Sequence, residues 1–88
     1  MKIKKGFIVR RVGGQSVAVA VGEMSKSFNG MIRLNETGKF LWDILAAGAD
    51  EDELVAKILE EYEVAGADAR ADVRSFVAKL EEVGALEH

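Results

Sequence analysis

Apolar and polar positions change their period once along this chain, near residue 35. Before it, branched apolar residues cluster or alternate with period two. Phe7-Ile8-Val9-Arg10-Arg11-Val12 reads as a strand, and Gly13-Gly14-Gln15 breaks it where a tight turn with positive φ belongs. Ser16-Val17-Ala18-Val19-Ala20-Val21 alternates cleanly, which puts Val17, Val19 and Val21 on one face. The two runs predict a hairpin, followed by a loop over 22–30 and a short third strand, Met31-Ile32-Arg33-Leu34. In that strand Ile32 and Leu34 should face the core, and Met31 and Arg33 the other side.

After residue 35 the spacing becomes helical. Asn35 is a good N-cap, and Glu36 in the first turn suits the helix dipole. Phe40, Leu41, Ile44 and Leu45 form the apolar stripe of a first helix, with Trp42 at its margin and Gly48 at its C-terminal end. Asp50-Glu51-Asp52-Glu53 opens a second helix, with Asp50 and Glu53 spaced as a capping box and Leu54, Ile58, Leu59 and Tyr62 as its buried face. A third helix begins after Glu63–Ala67 and runs to about Val83, where Gly84 stops it. Its stripe is Ala69, Val73, Phe76, Val77 and Leu80.

The predicted order is β-β-β-α-α-α. Three strands cannot bury a face alone, so the helices must pack on one side of the sheet. The fold class is α+β: a winged-helix-like domain with a three-stranded antiparallel sheet as the wing. Ile32, Leu34, Leu41, Leu45, Leu54, Ile58, Val73, Phe76, Val77 and Leu80 are the expected core. The 88 residues fit one domain, drawn over 1–85. Leu86-Glu87-His88 reads as the start of a purification tag.

Composition narrows the chemistry. There is no cysteine, and the one histidine is His88, so most nucleophile–base pairs cannot be assembled. The carboxylates fall on helix surfaces, where a solvated face is the ordinary reading. We expect no catalytic residues, no metal and no cofactor. No apolar run approaches the ~20 residues that cross a bilayer, and no signal peptide is recognisable, so a soluble cytoplasmic protein is expected. Charge is unevenly distributed. Residues 1–34 carry seven cations against Glu23 alone, a net +6, whereas residues 35–88 carry fourteen acids against five cations, a net −9. A basic front half attracts acidic partners.

The stretch Phe28-Asn29-Gly30-Met31-Ile32-Arg33-Leu34-Asn35-Glu36-Thr37-Gly38-Lys39-Phe40-Leu41-Trp42 resembles the signature of the PqqD family. The similarity continues through Asp50-Glu51-Asp52-Glu53-Leu54-Val55 and Ala69-Arg70-Ala71-Asp72-Val73-Arg74-Ser75-Phe76. The family includes the chaperone of pyrroloquinoline quinone biosynthesis and recognition elements for ribosomally made, modified peptides. One departure is Val64-Ala65-Gly66-Ala67, where relatives tend to open the third helix with acids. The resemblance implies a non-enzymatic module that binds the leader of a precursor peptide by adding it as a strand beside the third strand, in a groove walled by the third helix. It also implies a separate modifying enzyme, of the radical S-adenosylmethionine class. The residues that would make the site are Met31, Ile32, Arg33, Leu34, Arg70, Val73, Arg74 and Val77. The apolar anchors would come from Val73 and Val77, and carboxylate attraction from Arg33, Arg70 and Arg74.

Two other readings stay open. A winged-helix DNA-binding regulator needs a basic recognition helix, yet residues 68–84 carry Arg70, Arg74 and Lys79 against Asp68, Asp72, Glu81 and Glu82, a net −1. A structural or dimerisation subunit without a peptide ligand is the other.

Overall fold

A computed structural model describes residues 1–28 and 30–88. Among these residues five strands and four helices follow in chain order: β1 (Lys2–Ile3), β2 (Phe7–Val12), β3 (Gln15–Ala20), α1 (Met24–Ser27), β4 (Met31–Leu34), α2 (Glu36–Ala47), α3 (Glu51–Glu61), α4 (Gly66–Glu82) and β5 (Leu86–Glu87). The predicted hairpin, third strand and three long helices are all present. The order departs from expectation in three places. The loop over 22–30 contains α1, a single turn with no buried residue; Asn29, in the same loop, lies outside the described residues. The chain also begins and ends in strands that pair with one another.

The main sheet is antiparallel in the order β2-β3-β4. Gly13 and Gly14, with φ of 58° and 81°, make the tight turn that only glycine adopts without strain. Directly opposite residues share a face, so the register divides the sheet cleanly. Phe7–Ala20, Val9–Ala18–Ile32 and Arg11–Ser16–Leu34 form one face. Ile8–Val19–Met31 and Arg10–Val17–Arg33 form the other. The first of these faces the helices, and Ala18, Ile32 and Leu34 belong to the core. The valines of β3 therefore point outward, and its small residues, Ser16, Ala18 and Ala20, let the helical layer approach.

The helices follow their predicted caps. Asn35 Oδ1 accepts from the Gly38 N–H at 2.7 Å and Asp50 Oδ1 from the Glu53 N–H at 2.8 Å. α4 closes with a Schellman motif: the Gly84 N–H donates to the Glu81 carbonyl and the Ala85 N–H to the Leu80 carbonyl, with Gly84 at φ 76°. Leu41, Leu45, Leu54, Leu80 and Val73 are the largest fully buried side chains. Of the expected core only Phe76 and Val77 are half-buried. On α3, Val55 rather than Leu59 joins the buried face, and Leu59 is exposed. Trp42 is a core residue, edge-on to Phe7 at 5.7 Å.

β1 and β5 pair antiparallel, Lys2 with Glu87 and Ile3 with Leu86. Ile3 and Leu86 are both buried. Leu86 thus supplies apolar burial and Glu87 a strand partner at this end of the described chain. No described helix is long and apolar enough to cross a membrane.

Candidate functional site: a free strand edge beside a basic groove

Among the described residues β4 has a neighbour on one side only. Its free edge can be assigned from the hairpin. In a two-residue hairpin the residues flanking the turn, here Val12 and Gln15, exchange both backbone hydrogen bonds, and such pairs then alternate along the ladder. The Val21 N–H donating to the Gly6 carbonyl at 2.7 Å keeps that phase at the far end. The backbone groups of Ser16 and Ala18 therefore point toward β4, where their partners are Leu34 and Ile32. The N–H and C=O groups of Met31 and Arg33 point the other way, to the open edge. The side chains alternate as predicted: Ile32 and Leu34 are buried, Met31 and Arg33 exposed.

Beside this edge lies a groove of about 710 Å³. Ile32, Arg33 and Leu34 line it from β4, and Phe76 and Lys79 from α4. Gly38 forms part of its floor, where a side chain would crowd the Phe76 ring: a Cβ built there would stand 3.3 Å from it. Three cations reach the groove, Arg11, Lys39 and Lys79, against Glu36 alone, and Arg33 borders it at the β4 edge with its side chain on the other face of the sheet. Lys39 is bonded to Asp43. Among the described residues Arg11, Arg33 and Lys79 take part in no ion pair. Aliphatic and aromatic surface with unpaired cations suits a partner that is apolar and acidic.

The structure brings together the four β4 residues expected in the site, but not the four on α4. Val73 is fully buried. Val77 packs half-buried against the core. Arg70 and Arg74 turn toward α3: Arg70 bonds to Glu51 and, at 2.9 Å, to Asp52, and Arg74 Nε donates to Glu51 at 3.0 Å. The Arg74 hydrogen bond, outweighing some desolvation and joined by that of Arg70, holds the Glu51 carboxyl below its ordinary pKa. Hydrogen bonds from Arg70 to Asp52 and then Glu51 raise the pKa of its guanidinium. These arginines clamp two helices. The α4 residues that do face β4 are Phe76 and Lys79, with Asp72 and Ser75 at the groove's continuation past Thr37. Sequence signals for them existed: Phe76 is the bulkiest residue of the α4 stripe, and Lys79 lies one turn beyond it. Among the described residues no cluster of His, Cys, Asp and Glu is arranged to hold a metal.

A small α+β domain in which β4, among the described residues, presents an unpaired edge beside an apolar, cationic groove is what fold and site define. The family model described as Coenzyme PQQ synthesis protein D (PqqD) matches residues 17–86, and the chain belongs to the PqqD family. The structure is similar to that of TbiB1 in complex with the TbiA(beta) leader peptide, with a TM-score of 0.73 and 23% identity over 99% of this chain and 100% of that one. It is equally similar to lasso peptide synthetase B1 complexed with the leader peptide, with a TM-score of 0.73 and 23% identity over 96% of this chain and 93% of that one. No curated protein matches the chain.

Proposed function

We propose that this protein is a non-catalytic recognition module. It binds the leader segment of a ribosomally made precursor peptide as an added strand on β4 and presents it to a separate modifying enzyme. The observation that carries the reading is the pair of open backbone positions, Met31 and Arg33, beside a groove whose free side chains are cationic. Main-chain hydrogen bonds give such a site affinity, and the groove gives it choice. Both similar structures hold leader peptides, which supports the same class of ligand here. The family resemblance favours a radical S-adenosylmethionine enzyme as the partner, and three helices after a small sheet favour a winged-helix-like scaffold. We place the module in the cytoplasm, where ribosomal precursors are made.

Docking must overcome the ordering of a disordered leader, which costs roughly 2–5 kcal/mol. Exposed ion pairs return about 0–1 kcal/mol each, so strand pairing and apolar contact at Phe76 dominate affinity, while charge sets on-rate and salt dependence. In a titration of isotope-labelled protein with synthetic leader peptides, amide shifts should concentrate on residues 31–35 and on Ser75, Phe76 and Lys79. Shifts centred on Arg70 and Arg74 would move the site to the α3 side of α4. Shifts with duplex DNA and none with any peptide would overturn the reading, as would turnover of a precursor by the purified protein alone.

A further inference from the structure

The groove is only one of two surfaces that a strand on β4 would meet. The inference that follows rests on β4 being the docking edge. A residue directly opposite Arg33 in an added antiparallel strand exchanges hydrogen bonds with it and points to the same side of the sheet, as does the residue opposite Met31. Met31 and Arg33 belong to the face turned away from the helices. Alternate residues of the ligand therefore land on that outer face, and the residue between them lands over the groove near Phe76.

The outer face is already ordered in two rows. Ile8, Val19 and Met31 make an apolar row across all three strands, with Ile8 38% and Met31 57% exposed. Beside it, Arg10 and Arg33 flank Val17, which is only 4% exposed and lies where their aliphatic stems can cover it. Neither arginine takes part in an ion pair among the described residues, and none of the residues in β2, β3 or β4 is acidic. A fourth strand extends each row by one position: an aliphatic side chain beside Met31 covers exposed apolar surface, and a carboxylate beside Arg33 meets an unpaired cation.

We infer that the outer sheet face is a second reading surface, and that the module selects segments with an acidic and an aliphatic residue two positions apart, separated by an apolar residue that enters the groove. For an antiparallel ligand the order is acid, groove residue, aliphatic; for a parallel one it is reversed.

The test is selection of a displayed library of random peptides against the intact protein and against Arg33→Glu, whose exposed side chain leaves the fold intact. Peptides selected on the wild type should carry Asp or Glu two positions from Val, Ile, Leu or Met. Those selected on Arg33→Glu should carry Lys or Arg at the acidic position. In a wild-type-selected peptide, exchanging the acid for lysine should weaken binding to the wild type by roughly two- to fivefold, the range for a cross-strand charge pair, and restore it to Arg33→Glu. If the selected peptides shift the amides of residues 31–34 but show no acid–aliphatic spacing, or no exchange on Arg33→Glu, the second surface is refuted while the docking edge stands. If they leave those amides unshifted, the docking edge itself falls, and the inference with it.

Discussion

Gly38 shows how one position serves both fold and groove. Its N–H completes the Asn35 cap, and it is buried, with Phe76 against it. Asn35→Ala should cost about 1 kcal/mol, read as a lower urea midpoint at unchanged slope. Gly38→Ala gains up to about 1 kcal/mol of helix propensity, but its new Cβ stands 3.1 Å from Asn35 Oδ1 and 3.3 Å from Phe76. The two effects oppose each other in stability, whereas both neighbours line the groove, so peptide affinity should fall further than the melting temperature does. Equal losses in both would mean that the Phe76 side of the groove takes no part in binding. Leu41, fully buried, and Phe76, half-buried, make a sharper pair. Leu41→Ala should cost ~2–5 kcal/mol as an ordinary core cavity. Phe76→Ala should cost less stability and more binding. The reverse ranking would place Phe76 in the core and not in the groove.

Between elements, the contact of α3 with α4 is held by charge at its edge. Glu51 opens α3 and receives both Arg70 and Arg74 from α4. Because the folded protein holds the Glu51 pKa below its unfolded value, about 4.3 for a free glutamate, the stability this carboxylate contributes is complete above that value. It is lost as pH falls through the lower folded value. Arg70 shifts the other way and stays charged throughout this range. Glu51→Gln should therefore leave a protein whose melting temperature falls less steeply below about pH 4.3 than that of the wild type. Parallel acid limbs for the two proteins would mean that other carboxylates carry the dependence. The same contact explains what periodicity could reveal about α4. The 3.6-residue spacing locates a buried stripe, and Ala69, Val73 and Leu80 are buried as it requires. A stripe has two margins, however, and nothing in one helix says which of them meets β4 and which meets α3. The acidic opening of α3 draws Arg70 and Arg74 to one margin and leaves Phe76 and Lys79 at the other.

At the scale of the whole molecule, β1 and β5 join the two ends of the chain. Leu86 is only 6% exposed and pairs with Ile3. Leu86→Ala should cost ~2–5 kcal/mol, and it should speed amide exchange at Lys4, whose N–H donates to the adjacent Ala85 carbonyl. Unchanged exchange there would show the pairing to be marginal. Alternation over two residues is no signal, which is why these strands and the single turn of α1 were not legible in the sequence. The hairpin turn at Gly13-Gly14, the face assignment of β4 and the caps at Asn35, Asp50 and Gly84 were, because each depends on a few adjacent residues and a fixed backbone geometry.

An edge that accepts any extended main chain also accepts the edge of another copy. β4 offers open backbone at Met31 and Arg33, and Met31 stands out from it as bare apolar surface. Two such edges in contact would bring together two copies of Arg33, and a charge on an exposed strand is a known guard against edge-to-edge pairing. The arginine proposed to meet an acidic ligand would then also keep the unliganded protein colloidally stable. Arg33→Val should raise the average mass in sedimentation equilibrium as concentration increases, and an excess of bound peptide should lower it again, because one strand cannot fill the place of two. If Arg33→Val stays at the wild-type mass across that range, something other than this charge keeps the free edges apart.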